Sequence, residues 1–152
     1  MRLSSGGIIE RTRPVTFSFD NKQYQGFQGD TLASALLANG VFLMGRSFKY
    51  HRPRGVVCDS SAEPNALVSV GSAARSEPNT RATMVEIYEG MEAYSQNCFP
   101  SLQWDFSAWV GMISSLFPSG FYYKTFMWPK SFWLRYEWII RHMAGLGTAS
   151  RA

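Results

Sequence analysis

The stretch that most restricts the fold lies at residues 29–40, Gly-Asp-Thr-Leu-Ala-Ser-Ala-Leu-Leu-Ala-Asn-Gly. It reads as one short helix. Asp30 opens it, because a carboxylate there can accept from amides that the first helical turn leaves unpaired. Leu32, Leu36 and Leu37 supply an apolar side. Asn39-Gly40 closes it, since these residues reach the left-handed conformation cheaply. A strand pair precedes the helix. Residues 14–19, Pro-Val-Thr-Phe-Ser-Phe, alternate and are rich in branched and aromatic types, which sets Val15, Phe17 and Phe19 on one face. Residues 8–13 form an extended lead-in. Asp20-Asn21-Lys22 makes a turn, and residues 23–27 return as the second strand. Val56-Val57 and residues 66–70 are further candidate strands, separated by the polar loop 58–65. A branched run follows at 80–88. A hairpin, then a helix, then short strands is the order of a β-grasp domain, an α+β fold.

The character of the chain changes near Asn97. All five tryptophans lie beyond it, with only Asp105 and Glu137 as acidic residues. Phe106, Trp109, Val110, Ile113, Leu116 and Phe117 recur at helical spacing until Pro118-Ser119-Gly120 stops them. Residues 121–129 are too aromatic to lie bare in water. A second helix is expected over 131–143, ended by Gly145-Leu146-Gly147. The expected division is therefore a β-grasp domain at 1–95 and a helical, aromatic docking extension at 96–152. Charged residues make up 17% of the chain, below the usual level of about a quarter, while aromatics reach 15%. That balance suits a surface covered by another domain or chain.

Residues 46–54 concentrate Arg46, Lys49, His51, Arg52 and Arg54 around Phe48 and Tyr50. Guanidinium forks suit a phosphate or carboxylate, so this is a candidate anion or interface loop. Its aromatics could stack on bases. A net charge of +4 is too modest for a nucleic-acid module, and no nucleic-acid partner is expected. The plainer role is contact with a partner, or solvated charge.

Cys58 and Cys98 are too few for a disulfide framework. A plant-type two-iron loop needs Cys-x4-Cys-x2-Cys and a distant fourth Cys, because each iron is held by two thiolates. Cys58 stands at the first place, but Glu63 and Ala66 follow where the next two would be. No metal site is expected, and Cys58 reads as an ordinary thiol. A Cys–His nucleophile pair using His51 or His142 would need a third, orienting group; near His51 the loop is basic, with no carboxylates but Asp59 and Glu63, and no catalytic residue is assigned. Neither Gly6-Gly7 nor Gly145-Leu146-Gly147 completes a dinucleotide fingerprint. No window reaches the roughly 18 apolar residues of a membrane span, and no secretory leader is visible. A cytoplasmic location with reduced thiols and no membrane contact is expected.

Together, residues 29–40, 45–55 and 63–68 resemble the N-terminal part of the α subunit of heterotetrameric sarcosine oxidases. Glu77-Pro78-Asn79-Thr80-Arg81-Ala82-Thr83 and residues 120–129 resemble the same subunits. The resemblance covers nearly the whole chain. It implies a 2Fe-2S ferredoxin-like scaffold whose cluster ligands are lost: Cys58 keeps the first position, with Glu63, Ala66 and Thr83 at the other three. It implies an enzyme that oxidatively demethylates sarcosine to glycine, forming hydrogen peroxide and methylenetetrahydrofolate. Such an assembly uses FAD, FMN, NAD and tetrahydrofolate, none of them held by the matching region. Its implied partners are the remaining α-subunit domains and the β, γ and δ subunits. On this view the chain stops where a nucleotide-binding domain would begin, and is inactive alone. The alternative is a cluster-free β-grasp interaction module, or an electron-transfer accessory of a related amine dehydrogenase.

Overall fold

Alternation at the N-terminus builds a longer hairpin than its apolar residues suggest. In the computed structural model, β1 runs over Glu10–Phe19 and β2 over Lys22–Gln28, antiparallel, with Phe19 opposite Lys22. Only Asp20 and Asn21 connect them, at φ of 49° and 63°. A two-residue turn whose twist matches the strands requires positive φ at both positions, and Asp and Asn tolerate it. β1 reaches back past Pro14 to Glu10 because a register shift between Glu10 and Pro14 absorbs the irregular charged segment. Phe17 and Phe19 are buried and Val15 is half-buried.

The structure describes residues 2–3, 5–47, 50–109 and 130–144. These fall into two units, one from residues 2–45 and 53–96, the other from 46–52 and 97–144. In the first unit, β5 (Leu67–Val70), β6 (Glu77–Arg81) and β7 (Met91–Ser95) join the hairpin in a five-stranded sheet of order β2-β1-β7-β5-β6. β7 lies parallel to β1, with Met91 beside Phe17 and Ala93 beside Phe19. It lies antiparallel to β5. This central strand was not foreseen. Its Met-Glu-Ala-Tyr-Ser carries few branched residues, and its neighbours on both sides impose the extended form. Two short segments, β3 (Gly45–Arg46) and β4 (Pro53–Arg54), pair separately. Val56-Val57, expected as a strand, is loop instead, and the Val57 amide is drawn to a side chain described below.

Helix α1 spans Leu32–Ala38, and its cap differs from expectation. Thr31 is the capping residue, its hydroxyl accepting from the Ser34 amide at 3.2 Å. The Leu32 and Ala33 amides donate to the carbonyls of Val85 and Ala82 at 2.8 and 2.9 Å. Tertiary backbone thus supplies partners that a helix start lacks. Asp30 is buried just outside the helix and gathers the Phe27 amide at 2.9 Å, the Ser34 hydroxyl at 2.8 Å and Arg2 at 2.6 Å. At the other end it is Gly40, at φ +77°, that takes the left-handed conformation.

The buried face of α1 is Leu32, Ala33, Ala35 and Leu36, whereas Leu37 is only half-buried. The helix can approach β2 because Gly26 has no side chain. A Cβ there would lie 3.1 Å from that of Ala35 and 3.3 Å from an Asp30 oxygen. Phe17, Leu32, Leu36, Met44, Val68 and Met91 complete the core of this unit.

In the second unit, Asp105 caps a short 3-10 turn over Phe106–Ala108. Helix α2 spans Trp133–Ala144, close to the expected 131–143, and is preceded by a 3-10 turn over Lys130–Phe132. The expected helix beyond Trp109, the aromatic run 121–129 and the Gly145-Leu146-Gly147 stop lie outside the described residues. No helix among the described residues is long and apolar enough to cross a membrane.

Leu36 is fully buried, so Leu36→Ala should remove about 3 kcal/mol by lost transfer energy and cavity formation. A lowered urea midpoint at unchanged slope is the expected result.

Candidate functional site

The loop between β4 and β5 folds inward around one side chain. Glu63 is fully buried. Its Oε2 accepts from the amides of Val57 and Cys58, both at 2.7 Å. Its Oε1 accepts from Asn65 at 2.7 Å and Ala66 at 3.1 Å. The Glu63 amide donates to Ser60 at 3.1 Å, which tightens the turn that points the carboxylate inward. Further bonds strap the loop to the last residue of β6 and the chain after it. Arg81 donates to the Glu63 carbonyl at 3.2 Å, the Thr83 hydroxyl to Ser60 at 3.0 Å, and the Ala82 amide to Ala66 at 2.9 Å. Arg54 reaches Asn65 at 2.8 Å. These bonds gather residues 58, 63 and 66 of one loop with residue 83 beyond β6.

The electrostatics follow from that geometry. Burial alone would raise the Glu63 pKa. The amides of Cys58, Asn65, Val57 and Ala66 outweigh it together and hold the pKa at about 2, below the ordinary 4.5. Hydrogen bonds made only to the charged form favour that form. Cys58 is half-buried, with its sulfur 4.0 Å from the Ser60 hydroxyl. Neither Cys58 nor Cys98 is in a disulfide.

The basic loop resolves differently from a single clamp. In the second unit Arg46 donates to the carbonyls of Leu102 at 3.0 Å and His51 at 2.8 Å, and stands 3.6 Å from Asp105. His51 Nδ1 lies 2.8 Å from the same buried carboxylate. Asp105 also accepts from the amides of Phe99 at 3.0 Å and Ser107 at 3.1 Å. Arg46 and His51 are therefore engaged internally. Arg52 is exposed and packs on the Tyr50 ring at 5.0 Å. Arg54 belongs to the first unit. Lys49 and the His142 side chain lie outside the described residues. Sequence reasoning missed the His51–Asp105 pair, whose members stand 54 residues apart. It also took Glu63 only as a failed ligand. A lone carboxylate at a ligand spacing was the available signal.

The 2Fe-2S iron-sulfur cluster binding domain family matches residues 12–98. The chain belongs to that family. It is 59% identical over 98% of its length to sarcosine oxidase subunit alpha of Rhizobium meliloti (strain 1021), of which it spans 15%. Two Corynebacterium proteins of the same description are similar. That of strain U-96 is 39% identical over 59% of this chain and 10% of its own length. That of strain P-1 is 43% identical over 54% of this chain and 8% of its own. Among solved structures, L-proline dehydrogenase from P. horikoshii aligns at 24% identity and a TM-score of 0.47, over 57% of this chain and 16% of that one, too loosely to add to the assignment.

The residues present do not fit the family's cluster. Two irons need four ligands, two on each. Of the gathered positions only Cys58 offers a thiol, Ala66 offers nothing, the Thr83 hydroxyl is spent on Ser60, and both Glu63 oxygens carry two amides each. Among the described residues, no group of three His, Cys, Asp or Glu side chains could hold a metal.

The lowered Glu63 pKa sets a sign for the acid response. Its stabilising effect is full above 4.5 and is lost as pH falls towards about 2. Measured by urea unfolding, wild type should exceed Glu63→Gln by about 3 kcal/mol at pH 6, and the gap should close between pH 4.5 and 2.

Proposed function

We propose that this chain is the N-terminal structural part of a sarcosine oxidase α subunit and contributes scaffold and docking surface rather than chemistry. The observation that carries the reading is 59% identity across 98% of the chain to a protein of that name. In this reading the whole enzyme oxidatively demethylates sarcosine to glycine, with formation of hydrogen peroxide and methylenetetrahydrofolate. NAD and tetrahydrofolate sit in other α-subunit domains, FAD in the β subunit and FMN at its interface with α, and the γ and δ subunits complete the assembly. The region itself is cluster-free and cytoplasmic.

Two features support a docking role. Trp104, Phe106 and Trp109 are exposed in the second unit, where large aromatic rings in water favour a covering partner. Among the described residues of the basic loop, Arg52 is an exposed cation that an acidic partner surface or a cofactor phosphate would meet. Arg46 and His51 serve the loop's own structure through Asp105.

Co-expression of this chain, tagged, with the rest of the α subunit and the β, γ and δ subunits tests the reading. The tag should recover the other subunits and sarcosine-dependent peroxide formation, while the chain alone should yield no peroxide and no iron. Peroxide from the chain alone, or full oxidase activity without this region, would overturn it. Replacing Trp104 and Trp109 together with Ser should reduce recovery of the other subunits at least tenfold, a loss of about 1.4 kcal/mol or more in binding.

A further inference from the structure

We propose that the Glu63 carboxylate stands in for the iron–sulfur cluster: it is the anion on which the loop's amides close, and its presence there keeps a cluster out. The inference rests on the cluster-free reading above and adds what fills the place.

Backbone amides that converge in a concavity bind anions, phosphates and iron–sulfur centres among them. Here four amides converge from both ends of one loop, Val57 and Cys58 from one side, Asn65 and Ala66 from the other. An iron–sulfur cluster with four thiolates is an anion, and removing it would leave those donors facing a buried space. A buried amide without an acceptor is costly, so the loop needs another negative group at the same point. Glu63 supplies it from within the ligand spacing itself. Counting from Cys58, it occupies the second place of Cys-x4-Cys-x2-Cys. The third and fourth places carry small, buried residues that offer no thiolate. Ala66 is fully buried, and Thr83 is buried with its hydroxyl turned to Ser60. With two amides on each carboxylate oxygen, these four donors are all engaged.

Two measurements on the 152-residue chain test this. In a ¹⁵N-labelled sample titrated from pH 7 downward, the amide signals of Val57, Cys58, Asn65 and Ala66 should shift together with one midpoint near 2. Independent movements, or a shared midpoint near 4.5, would refute the proposal.

The second measurement compares Ala66→Cys/Thr83→Cys, which keeps Glu63, with the same variant carrying Glu63→Cys as well. Both are treated with ferric iron and sulfide under argon. The triple variant, with Cys58, should take up about two irons per chain and absorb visible light. The double variant should take up less than a tenth as much. Equal uptake would show that the carboxylate does not exclude the cluster, and no uptake by either would show that the loop is not its cradle. Iron in the untreated wild-type chain would instead refute the cluster-free reading, independently of how the four amides titrate.

Discussion

Four amide groups from two ends of one loop can lie together inside a protein only if something negative lies between them. Here that is the carboxylate of Glu63, and the loop from Val57 to Ala66 takes its shape from it. The bond pattern explains how a charged side chain is buried with no ion pair to a cation among the described residues. The amide dipoles supply the favourable field, and ionisation strengthens every one of the four bonds. It also explains why Val56-Val57 does not form a strand. The Val57 amide that a ladder would use is already taken.

The same device recurs at two other points. Asp30 sits beneath the start of α1 and joins the end of β2, the helix and Arg2. Asp105 collects the amides of Phe99 and Ser107, together with His51 and Arg46. Three buried carboxylates thus order three irregular segments, the places where a backbone cannot satisfy itself through helix or sheet. Charge is sparse in this chain, and part of it is spent inside rather than on the surface. The sheet and α1 depend on a separate principle, apolar burial of Phe17, Leu32, Leu36, Val68 and Met91.

Much of this architecture was legible from local pattern. The hairpin followed from alternation and from Asp20-Asn21, the only kinds of residue besides glycine that make such a turn cheaply. The existence and length of α1 followed from its leucines and from Gly40. The absence of a cysteine set around Cys58 was plain from spacing. Other features were illegible for identifiable reasons. β7 carries weak strand formers and becomes a strand because β1 and β5 flank it. The cap passed from Asp30 to Thr31 because Asp30 is pulled away by Phe27 and Arg2. The basic loop looked like one anion clamp, yet Arg46 and His51 are drawn to a carboxylate more than fifty residues away.

By itself the sequence determined the α+β class, the hairpin-then-helix order and the lack of cluster thiols, because each depends on neighbours within a few residues. Whether a polar side chain ends inside or outside depends instead on which donors the folded chain brings to it. Glu63 reads as an ordinary loop glutamate until Val57, Cys58, Asn65 and Ala66 turn their amides onto it. Only the tertiary structure decides that, because a carboxylate is stable in the interior only where the fold has already assembled its hydrogen-bond donors.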